Sequence, residues 1–173
     1  MKTASPASYV EPWLRGTHTD VPAAARAVLH ALELAQDDLA QGTEGLTDAE
    51  AHAAPLGLTP VAYHLRHIAR STDRILSYAE GKELSPRQRA ALQSETEGRE
   101  PLAALRAEVE TALQDAAGRV RALAATDLDA ARAVGRKLLP TSVGGAMLHV
   151  ADHTLRHVGQ VVTTAKALRA LRG

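Results

Sequence analysis

Five of the eight histidines lie in two short windows, and these windows are the part of the sequence best suited to chemistry. His64 and His67 are three residues apart, and His149, His153 and His157 follow one another at intervals of four. Residues three or four apart share one face of an α-helix. Two histidines at positions i and i+4 can bind one divalent ion, and a third from a neighbouring helix completes the set. The spacing therefore predicts helices that carry a metal site.

A histidine packed in the core is the alternative interpretation of each window. The row that begins at His149 continues through Gln160, Val161 and Thr164, so it points inward beside the apolar face of its helix. An unpaired imidazole in an apolar core is costly, and a single buried histidine usually binds a backbone carbonyl. Several histidines on facing helices favour the metal site instead. Neutral imidazoles suit zinc, nickel, iron or copper, whereas calcium and magnesium prefer oxygen ligands.

Four long amphipathic segments must position these histidines. Apolar residues recur in them at helical spacing, and proline and glycine residues separate them. The predicted helices cover about residues 20–41, 59–81, 101–125 and 142–170. The sequence therefore predicts an all-α four-helix bundle, with a short extra helix that Ser85 begins between helices 2 and 3. Residues 1–19 are expected to form an irregular extension before one domain at 20–173, and residues 126–145 an irregular connection.

The composition excludes several other functions. The 173-residue chain contains no cysteine, which excludes disulfides, thiolate metal sites and a cysteine nucleophile. The absence of phenylalanine argues against a β-rich core. Lys plus Arg and Asp plus Glu number 20 each, and the resulting zero net charge does not favour nucleic acid or an anionic membrane as a partner. No signal-peptide or membrane-spanning pattern is visible, so the expected location is the cytoplasm.

Two short motifs carry a resemblance to a known family. Residues 153–160 read HTLRHVGQ, and residues 63–69 read YHLRHIA with Asp73 and Arg74 after them. The DinB/YfiT-like family (DinB superfamily) has HxxxHxGQ in its last helix. Its second helix carries an aromatic residue, three spacers, HIA or HLA and a downstream DR. The order of the two windows also matches, so the chain resembles these metal-dependent helical bundle proteins over about residues 20–170.

The resemblance implies one divalent metal ion held by His67, His153 and His157. His64 competes with His67 on spacing alone, and the family pattern prefers His67. His149 often has a counterpart in the family, and the resemblance implies that it contacts the ligands or lines the pocket. The alternative is a core histidine whose polar atoms are hydrogen-bonded. Zinc or nickel is the expected ion, with iron or manganese as further options.

Other side chains are assigned around this site. Gln160, one turn after the last ligand, is expected to donate a hydrogen bond in the pocket, and Tyr63 is a further pocket candidate. His18, His30 and His52 match nothing in the family pattern and are expected on the surface.

The reaction is predicted only in outline. Three neutral nitrogens leave the charge of a divalent ion uncompensated and a coordination position open, which is the catalytic pattern for zinc. Water bound there can lose a proton near neutral pH, and a bound thiol would be ionised. Some relatives of this fold use low-molecular-weight thiols, so the resemblance implies a thiol-dependent transferase or isomerase with a small-molecule substrate. It also implies a homodimer, because bundles of this family commonly dimerise.

Two alternatives remain open. Metal-assisted hydrolysis would need a proton carrier, for which Asp152, Glu108 and Glu110 are the candidates. The chain could also be a non-catalytic metal-binding bundle that acts as a structural or interaction protein.

A stripe of arginines on the second helix raises the question of DNA binding. Arg66, Arg70 and Arg74 follow one another at intervals of four. A solvated face with local acidic partners such as Asp73 is the preferred interpretation, because the net charge is zero and no DNA-binding motif is visible. A self-association surface is the alternative. Trp13, in the extension, is expected to pack against the bundle.

Overall fold

The computed structural model describes residues 9–172 and is mostly helical. Within that range the α-helices are α1 (Ala23–Gly42), α2 (Asp48–Ala51), α3 (Val61–Ala79), α4 (Pro86–Gln93), α5 (Leu102–Leu123) and α6 (Val143–Ala170). The same range contains 3-10 helices at Pro12–Leu14 and Pro55–Gly57 and the strands β1 (Ala131–Val134) and β2 (Leu139–Ser142). The mostly helical prediction is confirmed, but a β-hairpin occupies the connection that was expected to be irregular. Residues 1–8 of the predicted extension lie outside the described residues.

Proline and serine residues mark where the long helices begin. Pro22, Pro60 and Pro101 stand at the N-caps of α1, α3 and α5. Proline suits this position, because its φ is already restricted and the first turn of a helix does not need its missing N–H. Ser142 begins α6, where its Oγ accepts a hydrogen bond from the Gly145 N–H at 3.1 Å.

The four long helices pack around one apolar core in a crossed order. α1 packs against α5 and α6, and α3 packs against the same two helices, so α1 and α3 lie diagonally across the core. The chain therefore crosses over between α1 and α3, and again between α5 and α6. The core consists mainly of Leu, Val and Ala side chains. At Gly42, α1 approaches α6 so closely that an added Cβ would lie 3.2 Å from Val162 Cγ2.

The hairpin connects α5 to α6 across the end of α3. Arg132, on β1, donates its Nε–H to the carbonyl of Ala79, the last residue of α3, at 2.7 Å. Val143, the first residue of α6, donates its N–H to the carbonyl of Ala130 at 3.1 Å. These bonds set where α6 begins relative to α3, and hence which residues of the two helices face each other.

Polar contacts attach the segment before α1. The carboxylate of Asp37 on α1 accepts hydrogen bonds from Arg15 at 2.8 Å and from the Tyr9 hydroxyl at 3.0 Å. The side chain of Trp13 does not pack, because it is 62% exposed and donates its indole N–H to Glu11. The expectation that Trp13 packs against the bundle is therefore wrong.

None of the helices in residues 9–172 is long and apolar enough to cross a membrane. Even α6, with 28 residues, carries charged and imidazole side chains along its length.

Candidate metal centre

Three histidines from two helices meet where α3 packs against α6. His67 lies on α3, and His153 and His157 lie one turn apart on α6. Each offers one ring nitrogen to a group in which these atoms all lie within 4.8 Å of one another. The ring centroid of His67 lies 5.0 Å from that of His153 and 4.5 Å from that of His157. The spacing of four on α6 thus brings both imidazoles to the same turn of α3.

The Nδ1 of His67 is held by a buried carboxylate. It lies 2.7 Å from Oε2 of Glu95, which comes from the connection between α4 and α5. The other carboxylate oxygen accepts a hydrogen bond from Arg74 at 2.5 Å. Burial opposes ionisation of Glu95, but the hydrogen bonds from His67 and Arg74 outweigh it and hold its pKa below the ordinary value. The ionised Glu95 therefore accepts the Nδ1–H of His67, which leaves the Nε2 lone pair free.

The Nδ1 of His153 faces a hydroxyl group. Ser71 donates its O–H to the carbonyl of His67 at 2.5 Å, and its Oγ lies 3.4 Å from Nδ1 of His153. Since the hydroxyl proton is already used, Oγ acts as the acceptor and Nδ1 carries the proton. The lone pair of His153 is then on Nε2 as well.

The Nδ1 of His157 lies 3.0 Å from the Nδ1 of His64. Two neutral imidazoles in this arrangement share one proton, so one ring donates and the other accepts. When His157 donates, its Nε2 is free and His64 carries its own proton on Nε2. That Nε2 atom is buried and has no hydrogen-bond partner among residues 9–172.

The free nitrogens fit a small transition-metal ion. The Nε2 atoms of His67 and His153 lie 3.3 Å apart. Because both rings carry their proton on Nδ1, two lone pairs face each other, and a cation is needed to bring them together favourably. Two nitrogens bound to one tetrahedral ion at roughly 2.0–2.1 Å are ~3.3 Å apart. The donor set and the separation therefore both suit a bound metal.

Burial keeps the imidazoles of His64, His153 and His157 neutral, and the neutral form is the one that binds a metal. Burial, followed by the neighbouring His157 and His67, lowers the pKa of His64 and of His153 to about 4. Burial and then the neighbouring His67 also lower the pKa of His157. These three imidazoles are therefore uncharged at neutral pH.

The family comparison covers this part of the molecule. A family model described as the DinB superfamily matches residues 31–161. The chain belongs to the DinB superfamily. The matched range contains α3 and the first two thirds of α6, and so both histidine windows. No curated protein matches the chain significantly.

The remaining site candidates of this DinB chain differ in their distance from the cluster. Tyr63 stacks on His67, with ring centroids 5.6 Å apart and planes inclined by 10°. His149 is exposed, with its ring 5.4 Å from that of His153, so it lies at the edge of the cluster and is not a core histidine. Gln160 is exposed.

The arginine stripe of the DinB chain is not a solvated face, and that prediction is wrong. Arg66 is 2% exposed and Arg74 is 8% exposed. Arg66 forms an ion pair of 2.7 Å with Glu100, which precedes α5. The expected partner, Asp73, pairs instead with Arg119 of α5 at 2.7 Å. The stripe therefore attaches the connection between α4 and α5 to α3.

The three other histidines are less exposed than expected. His30 is buried and lies 3.1 Å from the hydroxyl of Thr17, so its surface assignment is wrong. His18 is half-buried and approaches a carboxylate oxygen of Glu33 to 2.6 Å. His52 is half-buried too.

The acidic residues considered as proton carriers have other contacts. Asp152 pairs with Arg156 at 2.7 Å, and Glu108 pairs with Arg70 at 3.0 Å. Glu110 is exposed on α5. Asp152 also approaches Nδ1 of His149, at the edge of the cluster, to 3.4 Å, whereas none of these contacts involves a proposed ligand.

Sequence reasoning missed two residues that contact the cluster, Glu95 and Ser71. Ser71 follows His67 by four residues, so it shares the same helix face, and this spacing could have revealed it. Glu95 lies in a connection without periodicity. Its signal was the arginine stripe on α3, which needs acidic partners once it is buried.

Proposed function

We propose that this chain binds one divalent transition-metal ion through His67, His153 and His157. The observation that carries the proposal is the convergence of three imidazoles whose Nδ1 atoms all have partners. Glu95 and Ser71 account for two of them, and the third faces another imidazole. The nitrogen left over on each ring is Nε2, and the Nε2 atoms of His67 and His153 lie 3.3 Å apart. Membership of the DinB superfamily supports the same ligand set, with zinc or nickel as the expected ion.

The proposal extends to a metal-dependent enzyme with a small-molecule substrate. Three neutral donors leave the positive charge of the ion uncompensated, and the side chain of His67 is 16% exposed, so the cluster is not fully enclosed by protein. When bound, such an ion acts as a Lewis acid and favours the ionised form of a water or thiol ligand. The chain has no cysteine, so a thiol nucleophile would come from a small molecule. Transfer or isomerisation with a low-molecular-weight thiol is the proposed reaction class.

A non-catalytic metal-binding bundle is the second candidate, and one observation favours it. The proposed ligands come from both α3 and α6, which pack extensively against each other. An ion held by both helices would link them, as structural metals do. Such a protein would use the ion for stability or for binding a partner.

The finer features of the fold belong to the same proposal. The crossed packing of α1, α3, α5 and α6 supports a four-helix bundle of the DinB/YfiT type, with residues 20–173 as the domain and 1–19 as an extension. A homodimer is proposed on the family resemblance alone. The cytoplasmic location stays a prediction.

Elemental analysis of untagged protein tests the metal proposal. Wild type, His153→Ala/His157→Ala and the control His149→Ala would be purified without added metal or chelator. We expect about one equivalent of a single transition metal in wild type and in the control, because the exposed His149 is outside the ligand set. The double variant should contain none. Metal-free wild type, even after reconstitution with zinc or nickel, would refute the proposal.

The double variant also separates the two candidate functions. Retained helical circular dichroism with loss of thiol-transfer turnover would indicate catalysis. Loss of the fold would indicate a structural ion.

A further inference from the structure

Glu95 is a buried carboxylate that contacts a proposed ligand without belonging to the ligand set. It is 5% exposed, and one of its oxygens lies 2.7 Å from Nδ1 of His67. A metal-binding histidine that donates its second N–H to a carboxylate has a defined tautomer and ring orientation. Burial makes this contact effective, because water does not compete for it.

Two arginines of α3 hold the carboxylate in place. Arg74 donates to its second oxygen at 2.5 Å, and Arg66 donates to the Glu95 backbone carbonyl at 2.6 Å. Arg66 also forms an ion pair with Glu100, so the connection between α4 and α5 is attached to α3 near both of its ends. Both arginines are buried on the helix that carries His67. The position of Glu95 is therefore set relative to α3, the helix that carries His67.

The helix before Glu95 is attached to α3 by polar contacts, such as those of Gln88 with Asp73 and Ser77, and not by a buried apolar face. α4 has no buried residues, and it lies over a cavity of about 1090 Å³ whose wall includes Arg74 and Ser94. The position of Glu95 thus depends on the arginines and on its hydrogen bond to His67, and not on apolar packing of α4.

We propose that Glu95 is a positioning residue of the metal site: it fixes the tautomer and the ring of His67, and Arg74 and Arg66 fix Glu95. This inference rests on the proposed function. It also assigns a role to the connection between α4 and α5, which is remote in sequence from both histidine windows.

The substitution Glu95→Gln tests this role with little change in shape. Glutamine has one side-chain oxygen. We expect this oxygen to accept the hydrogen bond from the guanidinium of Arg74, because a cationic donor needs an acceptor. The amide NH₂ then faces Nδ1 of His67 and favours the tautomer with the proton on Nε2. That tautomer has no lone pair on Nε2. Glu97→Gln is the matched control, because Glu97 is exposed on the same connection and loses the same charge.

Two measurements are made on folded, full-length protein. Zinc affinity is measured by competition with a chromophoric chelator, and the tautomer of His67 by ¹⁵N NMR of the metal-free protein at mildly alkaline pH. We expect Glu95→Gln to weaken zinc binding by roughly 10–100-fold and to move the His67 proton from Nδ1 to Nε2. Glu97→Gln should match wild type in both. A residue that only supported the connection would leave the tautomer unchanged.

The outcomes separate this inference from the function on which it rests. Wild-type affinity and tautomer in Glu95→Gln overturn the inference and leave the metal site standing. A wild type that binds no zinc overturns the metal site, and the inference with it. If Glu95→Gln does not fold, Arg74→Gln replaces it, because it releases the carboxylate from its clamp. Zinc affinity lowered severalfold supports the inference, and unchanged affinity overturns it.

Discussion

The Nδ1 atoms of His64 and His157 lie 3.0 Å apart, so one proton decides whether the Nε2 of His157 is free. His64 is 5% exposed, and its Nε2 has no partner among the described residues. An unpaired buried N–H costs roughly 1–3 kcal/mol. The arrangement that frees His157 therefore leaves a polar atom of His64 unsatisfied. We infer that the metal-free protein is less stable than a variant with an apolar residue at position 64.

We expect His64→Leu to reduce the acid sensitivity of the metal-free protein. Burial lowers the pKa of His64 from 6.5 to about 4, so between these values the unfolded chain binds more protons than the folded chain. The free energy of unfolding therefore falls as the pH falls through this window. Between about pH 7.5 and about pH 5, wild type should lose ~1–2 kcal/mol more than the variant.

Urea unfolding of chelator-treated protein at the two pH values measures this difference. His149→Leu serves as the control, because the side chain of His149 is half exposed, and it should keep the wild-type pH dependence. An equal loss of stability in wild type and His64→Leu would contradict the prediction.

The metal affinity should also fall on acidification, mainly below pH 6.5. Protons and the ion compete for the same nitrogen lone pairs. Because burial lowers the pKa of His153 from 6.5 to about 4 and shifts that of His157 in the same direction, these two ligands resist protonation better than free imidazole. Competition titrations with a chelator, corrected for its own protonation, would follow the dissociation constant across this range. An affinity that stays constant from about pH 8 to about pH 4 would be incompatible with histidine ligands.

Arg66→Met should destabilise the fold, although the spacing of the arginines alone would place Arg66 on a solvated face. Arg66 is 2% exposed and donates to the Glu95 carbonyl and to the Glu100 carboxylate. Methionine has a similar length but no donor, so the Glu95 carbonyl loses its partner and the Glu100 carboxylate keeps only Arg70, at 3.3 Å. Because Glu100 is partly exposed and can be hydrated, we expect a loss of ~2–3 kcal/mol in the free energy of unfolding.

Urea denaturation would measure this loss, provided that the dependence of the free energy of unfolding on urea concentration is the same in the variant and in wild type. Arg99→Met is the control, because Arg99 is exposed on the same connection, and it should stay within ~0.5 kcal/mol of wild type. Equal stability of the two variants would restore the interpretation of the stripe as a solvated face.

Local patterns predicted much of the helical architecture. The intervals between His64 and His67 and between His153 and His157 identify one face of each helix, because helical periodicity depends only on sequence distance. The hairpin escaped prediction for the opposite reason. Its strands are four residues each, and Arg132 joins them to α3 through a bond to a residue 53 positions away.

Burial of the arginine stripe could not be read from spacing either. Arg66 and Arg74 look like a solvated face until the acidic connection around Glu95 folds over them. That event depends on Glu95, which is 21 positions from Arg74 and 29 from Arg66, and on the pairing of Asp73 with Arg119 of α5. Charge complementarity between distant segments is a tertiary property.

The sequence by itself determined the long helices and the spacing of the histidines, because both follow from the geometry of a single helix. The tertiary structure decided which nitrogen of each imidazole is left for a metal ion. That choice depends on the neighbour of each Nδ1: Glu95 for His67, Ser71 for His153 and His64 for His157. Each of these neighbours lies 28 or more positions from its histidine. Hydrogen-bond partners of this kind are assigned only when α3, α6 and the connection before α5 have packed together.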